Sequence, residues 1–367
     1  MDTITQMALG ATIAEVGFRK ELGWRSLLFG AACGLLPDLD LVTRLAGEWA
    51  SMVHHRGMSH SFPVLAVLSP LVGWVGYRLF RTTSKRGAGE PRAGIEEGGL
   101  SGPHEDGTGS YWKWTHLAFW ALLTHPALDA FTSYGTQILA PFTRRRFALD
   151  GVSIIDLVYT LPLLAVLVWA FLTRRRPQSS RQRWVAAGAL VFTTAYLLFG
   201  TWMSYGIAKR ARSQLARQGF HAAHVRAIPT FFWTGLFRVV ARDGDGELRV
   251  GYASGWFPRR IRFQKFTRSK DPLVQEALAS PRGKIFHWFS DGYVDARVVN
   301  KNGKRVVVLR DLRLGFVSNA DRVVFQARFA FDESGRLASA RRAQGSADLK
   351  VGEELAAFWR RFTGGDG

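Results

Sequence analysis

Apolar residues fall in long runs over the first 206 positions and in short alternating runs after them, and the two textures predict two kinds of structure. Phe62 to Phe80 has the length, about 20 apolar residues, that a bilayer core requires. Trp112 to Leu139, Val152 to Leu172 and Trp184 to Tyr205 read as further spans, the first interrupted by Thr124-His125-Pro126-Ala127-Leu128-Asp129. Trp24 to Leu36 is shorter and stops at Pro37-Asp38-Leu39-Asp40, where a proline and two carboxylates end a helix and present oxygens at its exit. Thr3 to Phe18 contains Gln6 and Glu15 and is short and polar for a span. Residues 1–206 are therefore expected to form an α-helical polytopic membrane domain, with Gly87 to Ser110, rich in Gly, Glu, Pro and Ser, as a flexible loop. His104-Glu105-Asp106 within that loop reads as solvated.

Past residue 206 the pattern changes. Ala208 to Gly219 reads as a basic amphipathic helix on the membrane surface, so that 207–230 forms a connector. From Phe231 onward, β-type runs alternate with the turn signals Asp243-Gly244-Asp245-Gly246, Asp291-Gly292, Asn302-Gly303 and Ser334-Gly335. Asn-Gly between Val298-Val299 and Val306-Val307-Val308 is a strong hairpin signal. Residues 231–367 are expected to be a soluble, mostly antiparallel β domain with a final helix near Glu353 to Phe362.

Composition sharpens this picture. The chain has 367 residues, is 47% hydrophobic and carries a net charge of +20. Many of its basic residues stand directly beside apolar segments, where they fix membrane orientation and meet anionic headgroups, so membrane lipid and not nucleic acid is the expected partner. The N-terminus lacks a charged region followed by a cleavage site and is read as part of the mature protein. Cys33, the single cysteine, excludes an intramolecular disulfide.

Arg78 to Arg86 place the end of Phe62–Phe80 inside, and Arg174 to Arg183 do the same for Val152–Leu172. Trp112–Leu139 and Trp24–Leu36 then run outward. His60, Asp156, His125, Asp129, Asp38 and Asp40 all fall on the outer face, and the β domain follows an outward span to that same side. Arg144-Arg145-Arg146 resists this assignment, since it falls on the wrong side unless Trp112–Leu139 is broken or re-entrant.

The chemistry-bearing residues centre on His54-His55-Arg56-Gly57-Met58-Ser59-His60-Ser61. Ionisable side chains at membrane depth are costly and mark function. His125 and Asp129, four apart, share a helix face and suit a single divalent ion. Asp38 and Asp40 suit chelation from a helix exit, and His55 and His60 could join them. Imidazole and carboxylate without thiolate fits zinc, manganese or iron, as one ion or two, and two such ions are a common device for phosphoester hydrolysis. Arg56 is placed to hold an anionic group. Asp156 is placed either to support a ligand or to act as general base.

Met1-Asp2-Thr3-Ile4-Thr5-Gln6 with Gly10, Pro37-Asp38-Leu39-Asp40, His55-Arg56-Gly57-Met58-Ser59-His60-Ser61, and His125-Pro126-Ala127-Leu128-Asp129 with Tyr134-Gly135-Thr136 together resemble the YdjM-like bacterial inner-membrane proteins, described as membrane-bound metal-dependent hydrolases. The resemblance covers about residues 1–206. Many members carry Thr-His where this chain has Thr5-Gln6, and an amide is a poorer metal ligand than an imidazole. The resemblance implies a metal-dependent hydrolase at the outer face of the bacterial inner membrane. A phosphoester or other bond in a lipid or lipid-linked substrate is the expected target. The rival expectations are a metal or ion carrier using the same residues, and a scaffold that works through its β domain.

Overall fold

A computed structural model describes residues 1–84, 111–267, 269–301, 304–344 and 350–363. The expected loop 87–110 and the Asn302-Gly303 turn lie outside them. The N-terminal part is helical, and the C-terminal part holds two antiparallel sheets.

Helix α1 (Thr3–Gly17) begins where the Asp2 carboxylate accepts the Thr5 N–H at 3.0 Å, satisfying one of the free donors of its first turn. Helices α2 (Arg19–Leu22) and α3 (Arg25–Leu35) follow. α1 and α3 meet backbone to backbone. A Cβ on Gly10 would stand 2.1 Å from the Gly30 carbonyl oxygen, and one on Gly34 would stand 2.4 Å from that of Gln6. Small residues at the contact allow the two backbones this close approach.

A 3-10 stretch (Leu36–Ala46), α4 (Glu48–His54) and a short 3-10 turn (Met58–His60) lead into α5 (Phe62–Ser84), which packs along α6 (Tyr111–Ala130). Phe29, Cys33, Leu65, Trp114, Leu117 and Leu122 form the core between α3, α5 and α6. α6 ends at Ala130, so the predicted segment Trp112–Leu139 is helical only in its first part. An irregular stretch then leads to α7 (Leu157–Leu172) and α8 (Ser180–Ala216). Two of the described helices are long and apolar enough to cross a membrane, α5 over Phe62–Phe80 and α8; α7, with 16 residues, is shorter.

α8 does not break at residue 206. It runs for 37 residues, and the turns expected to form a separate surface helix are its own continuation. Met203, Ile207 and Ala211 pack there against Phe237 and Val239. The first sheet is a meander of β1 (His224–Pro229), β2 (Leu236–Arg242), β3 (Leu248–Ser254) and β4 (Gln264–Phe266). Alternation along β2 sends Phe237 and Val239 to α8 and Val240 to Tyr293 and Leu312, so this strand is buried on both faces.

Helices α9 (Pro272–Ala279) and α10 (Pro281–Phe289) precede the second meander, β5 (Val294–Lys301), β6 (Lys304–Asp311), β7 (Phe325–Phe331) and β8 (Leu337–Gln344). Val298 pairs with Val307 and Val299 with Val306, the register that the hairpin signal predicts. The closing helix α11 (Val351–Thr363) lays Ala357, Phe358 and Phe362 on Leu236. The core of the second sheet is completed from the helical half. Met52 is buried among Phe289, Phe329 and Phe331, with Trp49 and Tyr134 packed against them.

Candidate metal centre

Three separate elements deliver one cluster. Pro37 and the 3-10 stretch after α3 turn Asp38 inward, the Met58–His60 turn buries His60 completely, and α6 presents His125 and Asp129 one turn apart, both buried. One ligand atom from each of these four residues lies within 4.8 Å of all the others. Asp38 Oδ1 is 3.5 Å from the Nε2 of both His60 and His125. Asp129 Oδ2 is 3.3 Å from His60 Nε2 and 3.7 Å from His125 Nε2.

Hydrogen bonding fixes which nitrogens face inward. His125 Nδ1 donates to the Gly34 carbonyl at 2.6 Å, which leaves Nε2 with its lone pair toward the cluster. Ser59 Oγ donates to Asp40 Oδ2 at 2.8 Å and lies 3.0 Å from His60 Nδ1, with Asp40 Oδ2 itself 3.4 Å away. His60 Nε2 is thus turned in as well and meets His125 Nε2 at 3.1 Å. Two inward lone pairs at that distance repel unless a proton or a cation sits between them.

Asp129 Oδ1 accepts from Gln6 Nε2 at 3.2 Å and from the Met1 amine. Asp129 Oδ2 is buried and has no hydrogen-bond partner among the described residues, although Arg56 Nε stands 3.0 Å from it. Its compensation is the ion pair with Arg56 and the His60 ring 3.3 Å away. The donor set therefore fits a divalent cation: two imidazoles with their outer nitrogens already held, and two carboxylates with oxygens to spare.

Asp40 and His55, also expected among the ligands, stand outside the four-residue cluster. Asp40 Oδ1 faces His55 Nδ1 at 2.8 Å, and Oδ2 accepts from the Arg56 N–H at 3.0 Å as well as from Ser59. Burial alone would raise the Asp40 carboxyl, but the contacts from His55 and His60 outweigh it and hold the group well below the usual carboxylate range. Burial likewise opposes charge on Asp38, and the two imidazoles against it again prevail and lower it.

Arg56 adopts a left-handed backbone (φ 58°), a conformation that costs a non-glycine residue about 1–2 kcal/mol. Its surroundings compensate: the N–H reaches Asp40, the carbonyl accepts from Gln137 N at 2.9 Å, Nη1 donates to Thr132 Oγ1 at 2.8 Å, and the guanidinium lies 4.8 Å over the Tyr134 ring. Gly57 beside it is needed for space, since a Cβ there would stand 2.7 Å from the His54 carbonyl oxygen. Asp156 lies among other partners. It caps α7, accepting from Val158 N and Tyr159 N, and bonds the Tyr196 hydroxyl at 3.0 Å and the Thr234 hydroxyl at 3.3 Å.

Sequence reasoning gave no role to Thr132 and Tyr134, which hold Arg56, although Tyr134 lies inside one of the quoted motifs. Tyr134 also meets Phe289 at the end of α10 (5.3 Å) and Phe325 of the second sheet (6.1 Å).

The profile of the family described as YdjM inner membrane protein matches residues 1–207, which contain all four cluster residues. The chain belongs to this family. Within the family's stretch lie α1 to α7 and most of α8, while the two sheets follow it. The chain is also 24% identical over 177 residues to a Bacillus subtilis (strain 168) protein, "Uncharacterized protein YfhP", a match that spans 46% of each chain. No solved structure matches significantly.

Proposed function

We propose that the chain is a polytopic inner-membrane metalloenzyme that hydrolyses a phosphoester or another bond of a lipid or lipid-linked substrate at the outer face of the membrane. The observation that carries this reading is the convergence of His60 Nε2, His125 Nε2, Asp38 and Asp129 in a buried centre, with Arg56 paired to Asp129 beside it. Four donors suit one ion of zinc, manganese or iron. A second ion would need Asp40 and His55, which are engaged with each other. When bound, the ion supplies Lewis-acid polarisation and an activated water.

The protein's own groups then have distinct tasks. Gly34 and the Asp40–Ser59 pair fix the two imidazole rings with Nε2 of each turned toward the ion. Arg56, braced by Thr132 and Tyr134, offers a positive charge to an anionic substrate group such as a phosphate. Asp156 holds α7 to α8 through Tyr196 and serves the frame of the bundle.

Elemental analysis of the detergent-purified chain beside a variant carrying His60→Ala and Asp129→Ala tests the centre. About one equivalent of a transition metal, absent from the variant, is expected for a four-donor site. Protein that binds no metal after reconstitution with zinc, manganese or iron overturns the reading. Phospholipids and lipid-linked phosphoesters are then screened for metal-dependent turnover, which Asp38→Ala abolishes while membrane insertion is kept. Metal movement across a vesicle membrane without turnover would favour a carrier instead.

A further inference from the structure

The aromatic residues of α8 set its height in a bilayer. Trp184 and Trp202 are largely exposed, and at 1.5 Å per residue about 27 Å of helix separates them, close to the hydrocarbon thickness of a membrane. Tryptophans at both ends of such a segment mark the two interfaces. At the upper one, Tyr205 is exposed too, and the loop between β3 and β4 adds Trp256 and Phe257, both about half exposed. The Trp256 ring stands 6.0 Å from Phe199, which lies below Trp202 along the helix. The tip of this β-domain loop therefore reaches the depth of the aromatic belt.

Beyond the tip the loop turns back along α8. Arg259 and Arg260 join Arg210, Gln214 and Arg217 around a cavity of about 490 Å³ whose lining contains no carboxylate. Gln214 fixes the loop there, donating to the Ile261 carbonyl at 2.6 Å and accepting from its N–H at 2.9 Å. Nε and Nη2 of Arg210 are buried with no hydrogen-bond partner among the described residues. Helical side chains lean over the turn N-terminal to their own, which brings the Arg210 side chain toward the membrane side of the cavity. The cavity thus combines four guanidinium-bearing residues, buried donors without an acceptor and a place on the far side of the aromatic belt, its nearest helical residue, Arg210, about 12 Å along α8 from Trp202. Its chemistry calls for a phosphate.

We propose that this cavity binds the phosphate of an anionic phospholipid, with Trp256 and Phe257 sunk into the acyl-chain boundary beneath it, so that the β domain is docked on the bilayer by its own loop. This rests on α8 spanning the membrane.

Two measurements test it. In the first, the full chain in mild detergent is titrated with short-chain phosphatidylglycerol, short-chain phosphatidylcholine and inorganic phosphate, with binding read by calorimetry. Phosphatidylglycerol is expected to bind saturably and on the order of tenfold more tightly than phosphatidylcholine, and to lose about that factor when Arg210→Gln is combined with Arg260→Gln. The exposed pair Arg259→Gln and Arg260→Gln replaces them if Arg210→Gln does not fold. Equal binding of the two lipids, or unchanged binding in the variants, overturns the proposal. Inorganic phosphate that binds as tightly as phosphatidylglycerol assigns the cavity to free phosphate and overturns it too.

In the second, a Cys33→Ala background in proteoliposomes carries a polarity-sensitive fluorophore at Trp256→Cys or, separately, at Phe192→Cys midway along α8. Lipid-like emission at both positions is expected. Lipid at 192 with water at 256 overturns the docking alone. Water at both overturns the span of α8 and the docking together.

Discussion

His60 Nε2 and His125 Nε2 face each other across 3.1 Å, while the outer nitrogen of each ring already has a partner: Gly34 O for His125, and Ser59 with Asp40 for His60. A pair so arranged is stable only around a positive charge. Metal binding should therefore stabilise the fold, by about 2.7 kcal/mol when free metal stands at ~100 times its Kd. His125→Ala should abolish that stabilisation, so that the melting temperatures with metal and with chelator coincide. A variant that still melts higher with metal would place the ion elsewhere.

Asp40 acts on the centre through its neighbours. Asp40→Asn keeps the size of the side chain but removes the charge that His55, His60 and Ser59 address, and metal affinity should fall 10- to 100-fold, roughly the effect of losing a carboxylate behind a ligating histidine. Competition against a chromophoric chelator measures this. Loss as complete as in Asp38→Ala would make Asp40 a ligand in its own right.

Acid should empty the centre. Burial opposes a charge on His60, but Asp129, Asp38 and Asp40 around it prevail and raise its pKa. The metal-free centre therefore holds a proton at neutral pH that an incoming ion must displace, and affinity rises with pH. For one proton released, the apparent Kd should drop about tenfold per unit between roughly pH 6 and 8. A flat profile over that range would show that His60 is neutral before the metal arrives.

Gly34 joins packing to chemistry. A Cβ there would stand 2.4 Å from the Gln6 carbonyl oxygen, and the Gly34 carbonyl is the acceptor that orients His125. Gly34→Ala should destabilise the fold by about 1–3 kcal/mol through forced separation of α1 and α3. It should weaken metal binding as well, whereas Gly188→Ala, where a Cβ meets nothing, should do neither. Denaturant melts with and without metal distinguish the two effects.

Much of this centre was legible before the fold. Helical spacing placed His125 with Asp129, and Pro37 marked where a carboxylate could leave a helix. What spacing could not settle was direction. Asp38 and Asp40 are two residues apart, as are their chemical possibilities, and only the course of the 3-10 stretch decides that one carboxylate enters the cluster while the other stands behind it. The same holds for His55 and His60, whose roles depend on the left-handed turn at Arg56. Arg146 misled for a related reason. Counted as an orientation charge beside a span, it is in fact stacked against the rings of Tyr134, Trp288 and Phe289, and its guanidinium donates to the Tyr134 and Phe289 carbonyls. The basic residues from Lys209 onward suggested a new helix, yet Met203, Ile207, Ala211 and Leu215 hold a helical period through the charge change, and all four are buried. In the β half the turn signals were reliable, since Asp243 to Gly246 and Ser334-Gly335 join neighbouring strands of the meanders.

Tyr134 has the Arg56 guanidinium against its ring and Phe289 of α10 and Phe325 of the second sheet beside it, while Trp49 and Met52 sit in that sheet's core. The family's stretch ends near residue 207, but this seam does not. A fragment cut there would bare Trp49, Met52 and Tyr134 to water at the back of the metal centre, an apolar scar that invites aggregation. For this chain, then, the boundary drawn by kinship falls inside α8, while side chains from before it complete the core of the second sheet.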